Sequence, residues 1–109
     1  MGATPQKIPG TCHDWTAVHD FMPPTPGRLR VHGKCTFPTS GYSVELKKHV
    51  PQGINPAILL LDKVVTPPAG IVSQKVTTVD VSYHEVTDIH YLEVEILPDG
   101  TKIQIKEVF

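Results

Sequence analysis

Arg28-Leu29-Arg30-Val31-His32-Gly33-Lys34-Cys35-Thr36-Phe37 is the stretch whose reading decides the fold class. Leu29, Val31, Gly33, Cys35 and Phe37 share one parity; Arg28, Arg30, His32, Lys34 and Thr36 share the other. Side chains on an extended chain alternate between two faces, so this pattern predicts a β-strand with one buried and one wet face.

Working outward, Pro38-Thr39-Ser40-Gly41 reads as a turn. Beyond it Tyr42, Val44 and Leu46 alternate with Ser43, Glu45 and Lys47. The simplest arrangement is a hairpin, with Lys34 near Glu45. On the other side, Trp15, Ala17, His19 and Phe21 share a parity, which favours a strand over a short helix for residues 13–21. The Pro23–Gly27 segment is a connection, because its three prolines cannot donate ladder hydrogen bonds and restrict the residues before them.

Further along, Ala57-Ile58-Leu59-Leu60-Leu61 is apolar on both parities. Such a strand is central in a layered structure or shows its second face to another subunit. The valine- and threonine-rich stretch 71–86 changes phase near Thr77 and Thr78, which suggests a bulge or a switch of sheet. Leu97-Pro98-Asp99-Gly100-Thr101 then joins two final strands, with Val94 opposite Ile105, Ile96 opposite Ile103 and Glu93 opposite Lys106; parity favours a tight or four-residue loop.

These segments make six to seven strands and no helix longer than about two turns. The expected fold is all-β: a small antiparallel β-sandwich, for which an immunoglobulin-like topology is the commonest arrangement at this strand count. Residues 1–10 read as a flexible tail and 11–109 as one domain.

Composition agrees with that reading. The chain has 109 residues, 39% of them hydrophobic and 19% charged, with 11 prolines and 8 glycines. That is enough apolar material for one core and too many turn formers for long helices. The net charge of −1 gives no global reason to bind nucleic acid or an anionic membrane. No apolar run approaches the roughly 20 residues of a membrane-spanning helix. Met1–Lys7 lack the apolar core of a signal peptide, so the expected location is the cytoplasm unless a leader has been removed.

Two cysteines permit one internal disulfide. In a cytosolic chain Cys12 and Cys35 are expected as reduced thiols, Cys35 in the core; the alternative is a bridge contributing on the order of 3 kcal/mol.

Six histidines raise the question of a transition metal. Cys12, His13, His32 and Cys35 offer ligands that suit zinc or copper, although His32 and Cys35 reach one ion only if a bulge at Gly33 breaks the alternation. His84 and His90 flank a polar connection and, with Glu85, form a second candidate set for a metal or a general base. His19, beside Trp15 and Phe21, reads as a core or rim histidine. No phosphate loop, nucleophile elbow or nucleotide fingerprint is present, so the reading leans away from an enzyme and assigns no resident cofactor.

Association with another protein, most simply a second copy, is therefore the leading expectation. The candidate contacts are Ile58 and Leu60 on the second face of the apolar strand, an exposed sheet edge, and the basic pair Arg28 and Arg30. A histidine-based metal protein or enzyme is the alternative. A small-ligand binder lined by Trp15, Phe37, Tyr42 and Tyr83 ranks third.

Overall fold

The computed structural model describes residues 10–24 and 26–109; most of the expected tail, residues 1–9, lies outside the described residues. Seven strands form: β1 (Thr11–Asp20), β2 (Arg28–Phe37), β3 (Ser43–Lys48), β4 (Ile58–Thr66), β5 (Thr77–Val86), β6 (Glu93–Leu97) and β7 (Thr101–Val108). No helix forms among the described residues, and none is therefore long and apolar enough to cross a membrane. The all-β reading holds.

The strands run in the order β3-β4-β6-β7-β1-β2-β5. Four ladders are antiparallel, whereas β1–β7 and β4–β6 are parallel, so the sheet is mixed. β7 belongs to both halves: it pairs with β6 over Thr101–Gln104 and with β1 over Ile105–Val108. The sheet folds back on itself until its edges β3 and β5 lie side by side. The shortest dimension is 19 Å, the thickness of two layers packed about 10 Å apart.

The core between the layers follows the alternation. Leu29, Val31, Cys35 and Phe37 of β2 pack with Leu59 and Leu61 of β4, Val81 of β5, and Val94 and Ile96 of β6. Removing these side chains from water is the main stabilising term.

Partner choice departs from the expected early hairpin. β2 pairs over its full length with β5 and along most of it with β1, while β3 crosses to the other layer, where Glu45 faces Val64 rather than Lys34. Two ten-residue neighbours satisfy both edges of β2 and leave no edge for β3. Phe37 and Tyr42 stack at 4.4 Å where the chain crosses.

Two other details differ. The phase change near Thr77 is the start of β5, which pairs with β2 without a shift. The bulge lies instead in β1, where Asp14 and Trp15 together oppose Gly33. Asp14 takes φ 57°, a left-handed conformation that aspartate tolerates better than most residues. A side chain on Gly33 would overlap the Trp15 ring, so glycine is required there. In the last hairpin the ladder sits two residues closer to the turn than expected: Val94 faces Ile103, Glu95 faces Lys102 and Glu93 faces Gln104. Gly100, at φ 77°, closes the four-residue loop by donating from its N–H to the Ile96 carbonyl at 2.8 Å. Parity is kept, so the same residues face the core.

Candidate functional site

Three places collect polar or aromatic side chains. The first is the outer face of β1, β2 and β5. Alternation that buries Leu29 and Val31 turns Arg28 and Arg30 outward, and both are exposed. Arg30 lies between Val18 and His84, and Arg28 between Asp20 and Val86. Asp20 is committed elsewhere: its Oδ1 accepts the Met22 N–H at 2.9 Å. Asp80, farther along the face, lies 3.7 Å from His32. Among the described residues neither Arg28 nor Arg30 is ion-paired. Two open clefts flank the pair. One, of about 370 Å³, is lined by Pro26, Arg28, Arg30, His84 and Val86 among others; its neighbour, of about 300 Å³, is lined by Asp20, Met22, Pro23, Pro24 and again both arginines.

The second place is the seam between β3 and β5. Glu85 points inward here, and its side chain is only 14% exposed. Its Oε1 accepts the Tyr83 hydroxyl at 2.6 Å and its Oε2 the Tyr91 hydroxyl at 3.2 Å, while Lys48 Nζ lies 3.3 Å away. Burial, then the Glu85 carboxylate, raises the pKa of the Tyr83 phenol well above its ordinary value. Tyr91 moves up for the same two reasons, with Lys48 opposing. For Lys48, burial pulls down, but the Glu85 charge and hydrogen bond, with help from Tyr91, outweigh it and the pKa rises. The phenols stay neutral and donate, the ammonium stays charged, and both oxygens of the carboxylate are occupied. The cluster braces the seam and leaves no free base.

The third place is the end where the 21–27 and 87–92 connections meet the C-terminal end of β7. His19 is fully buried; its Nε2–H donates to the Thr87 carbonyl at 2.8 Å, and Nδ1 has no partner among the described residues. Its ring lies 3.9 Å from Phe21, which stacks on His90 at 4.3 Å and on Phe109 at 5.4 Å. His90 Nδ1 sits 2.7 Å from Glu107 Oε2.

The expected metal sets are not brought together. Cys12 and Cys35 are bonded to each other, so neither offers a thiolate, and the expectation of reduced thiols is overturned. They face one another across the β1–β2 ladder, so two extended strands suffice to join them. His13 is engaged by Asp14 and Thr36, each at 3.1 Å, and His32 faces Asp80. His84 and Glu85 are consecutive on a strand and point to opposite faces, while His90 stacks in the aromatic end. No group of three or more His, Cys, Asp or Glu residues suited to hold a metal occurs among the described residues.

The four aromatic residues of the expected ligand pocket are likewise dispersed. Trp15 covers Gly33, Phe37 stacks on Tyr42, and Tyr83 bonds Glu85. Leu60, on the second face of the apolar strand, is half-buried beneath the 49–55 connection: Gln52 exchanges two hydrogen bonds with its backbone, both at 2.9 Å, and Gly53 lies against its side chain. Ile58 is also half-buried. Sequence reasoning singled out Arg28, Arg30 and Glu85 but missed Lys48 and Tyr91 as partners of Glu85.

No protein-family model, curated protein or solved structure matches the chain.

Proposed function

We propose that the domain is a self-assembly module that joins a second copy of itself edge to edge along β5. The observation that carries this reading is the character of that edge. β5 is ten residues long, outermost in the sheet and paired to β2 without a bulge. Thr77–Val86 contains no lysine, arginine or proline, and its charged residues are Asp80 and the inward-pointing Glu85, fewer guards than an open edge of ten residues ordinarily carries. The opposite edge, β3, has six residues, carries Lys47 and Lys48, and is followed by Pro51. Among the described residues no backbone hydrogen bond joins β5 to β3; β3 lies beside this side of β5 and Lys48 contacts Glu85 there, so pairing with a second copy requires β3 to draw away from the seam.

A two-fold dimer pairs β5 with itself antiparallel, and side-chain parity must be kept. One register sets Asp80 against Asp80 and is disfavoured. The register with Ser82 opposite Ser82 sets Asp80 across from His84 twice and Thr78 across from Val86, which makes the edge self-complementary. Ile58 and Leu60 have less support as contacts, because the 49–55 connection already covers Leu60.

The Cys12–Cys35 bridge supports an oxidising compartment rather than the expected cytoplasm. An immunoglobulin-like arrangement has partial support: β2 lies between β1 and β5, as strand B lies between A and E, but the parallel β4–β6 ladder departs from that pattern.

Sedimentation of the oxidised protein over a micromolar concentration series tests the proposal. A dimer is expected. Ser82→Lys should yield a monomer of unchanged far-ultraviolet circular dichroism whose melting temperature no longer depends on protein concentration, Asp80→Lys should weaken association, and Asp80→Lys combined with His84→Glu should restore it. A wild-type monomer throughout the series, or a Ser82→Lys dimer as tight as wild type, overturns the reading.

A further inference from the structure

The outer face of β2, an interior strand that is not itself the proposed pairing edge, points to a binding site. We infer that Arg28 and Arg30 bind a multiply charged oxyanion, a diphosphate or a phosphate or sulfate ester, in the clefts they separate.

The strand itself sets the spacing. Residues two apart lie on one face about 6.6 Å apart, and arginine side chains of that separation can close on one anionic centre from both sides. A guanidinium presents a planar fork of donors that takes two oxygens at once. A single carboxylate offers one negative charge and about four acceptor sites, fewer than two forks can use. A tetrahedral oxyanion, or two linked ones, has enough oxygens for both.

Among the described residues no nearby carboxylate is ion-paired to either arginine. Asp20, opposite Arg28 and lining one cleft, accepts the Met22 N–H through Oδ1; Asp88 accepts the Gly27 N–H; Asp80 lies 3.7 Å from His32; Glu107 pairs with His90; and Glu85, which also lines the larger cleft, holds its carboxylate among Tyr83, Tyr91 and Lys48. The row through Arg30 adds one more cation, Lys106 beyond Val18 on β7, and an imidazole, His84 on β5. This positive field is local, since the whole chain carries a net charge of −1.

The clefts supply shape. Both reach Arg28, Arg30 and Pro26, and their volumes of about 370 and 300 Å³ suit a small ligand. Met22, Pro23 and Pro24 wall one side and Val86 the other. These exposed apolar side chains give the carbon body of an ester a surface to rest on.

Calorimetric titration of the oxidised full chain with inorganic pyrophosphate, at an ionic strength held constant with sodium chloride, tests the inference. One saturable site per chain is expected. Arg28→Gln and Arg30→Gln, both at exposed positions, should keep the wild-type circular dichroism and melting temperature yet weaken binding by about tenfold or more each. Arg30→Lys should retain only part of the affinity, because a point charge lacks the fork. Lys102→Gln, on the other layer, should change nothing. Parallel titrations with inorganic sulfate and phenyl phosphate separate a free anion from an ester. Heat that follows ionic strength without saturating, or undiminished binding by the Arg28→Gln, Arg30→Gln double variant, overturns the inference.

Discussion

Reducing the Cys12–Cys35 bridge should lower stability by an amount that the chain length between its ends sets. The cysteines are 23 residues apart. In the loop-closure description, an unfolded chain cross-linked over that span loses entropy worth about 3.4 kcal/mol at room temperature. For a chain of this length the entropy of unfolding is roughly 230 cal/mol/K, so that loss corresponds to a fall of about 15 °C in melting temperature. The comparison is best made on one sequence, followed by far-ultraviolet circular dichroism with and without a phosphine reductant, with free thiols counted before and after. Cys35 is fully buried, and reducing rather than replacing it keeps its packing. A reduced protein with two titratable thiols that melts within about 3 °C of the oxidised one would refute the reasoning, which locates the stabilisation in the unfolded chain.

Other outcomes are expected. Tyr83, Tyr91 and Lys48 all have pKa values raised in the folded state; the stability each contributes is complete below its unfolded value and is lost as pH climbs through the raised one. Urea midpoints should therefore fall from about pH 9 to about pH 11, and less steeply in Tyr83→Phe. Gly33→Ala should cost about 1–3 kcal/mol through overlap with the Trp15 ring, together with a change in Trp15 fluorescence. Leu59→Ala, which empties a fully buried position, should cost about 2–5 kcal/mol in urea unfolding.

Much of the strand content was legible because burial of one face imposes a period of two. The parity of β2 placed Leu29, Val31, Cys35 and Phe37 inside and both arginines outside. The parity of β6 and β7 survived even where the register moved by two residues, since a shift of two preserves the faces. Strand partners were not legible. Whether β2 meets β3 or β5 depends on which edges other strands already fill, and the parallel ladders join segments far apart in the chain. The same limit governs the sites. Arg28 and Arg30 declare themselves because a charge on the wet parity has nowhere else to go. The Glu85 cluster stays hidden because, besides Tyr83 on its own strand, Lys48 and Tyr91 reach it from separate segments. The bridge between Cys12 and Cys35 became evident only once β1 was seen to lie beside β2.

The sharing of β7 between the two layers has a mechanical meaning. β1 and β7 run in the same direction where Ala17–Asp20 meet Ile105–Val108, and the Phe21 N–H bonds the Val108 carbonyl at 2.7 Å. Tension applied between Thr11 and Val108 draws these two strands past each other lengthwise, so their hydrogen bonds are loaded together instead of opening one after another. The Cys12–Cys35 bond anchors β1 to β2 and prevents its N-terminal half from peeling away first. Single-molecule extension of the oxidised protein should show one high-force rupture, and reduction should lower that force.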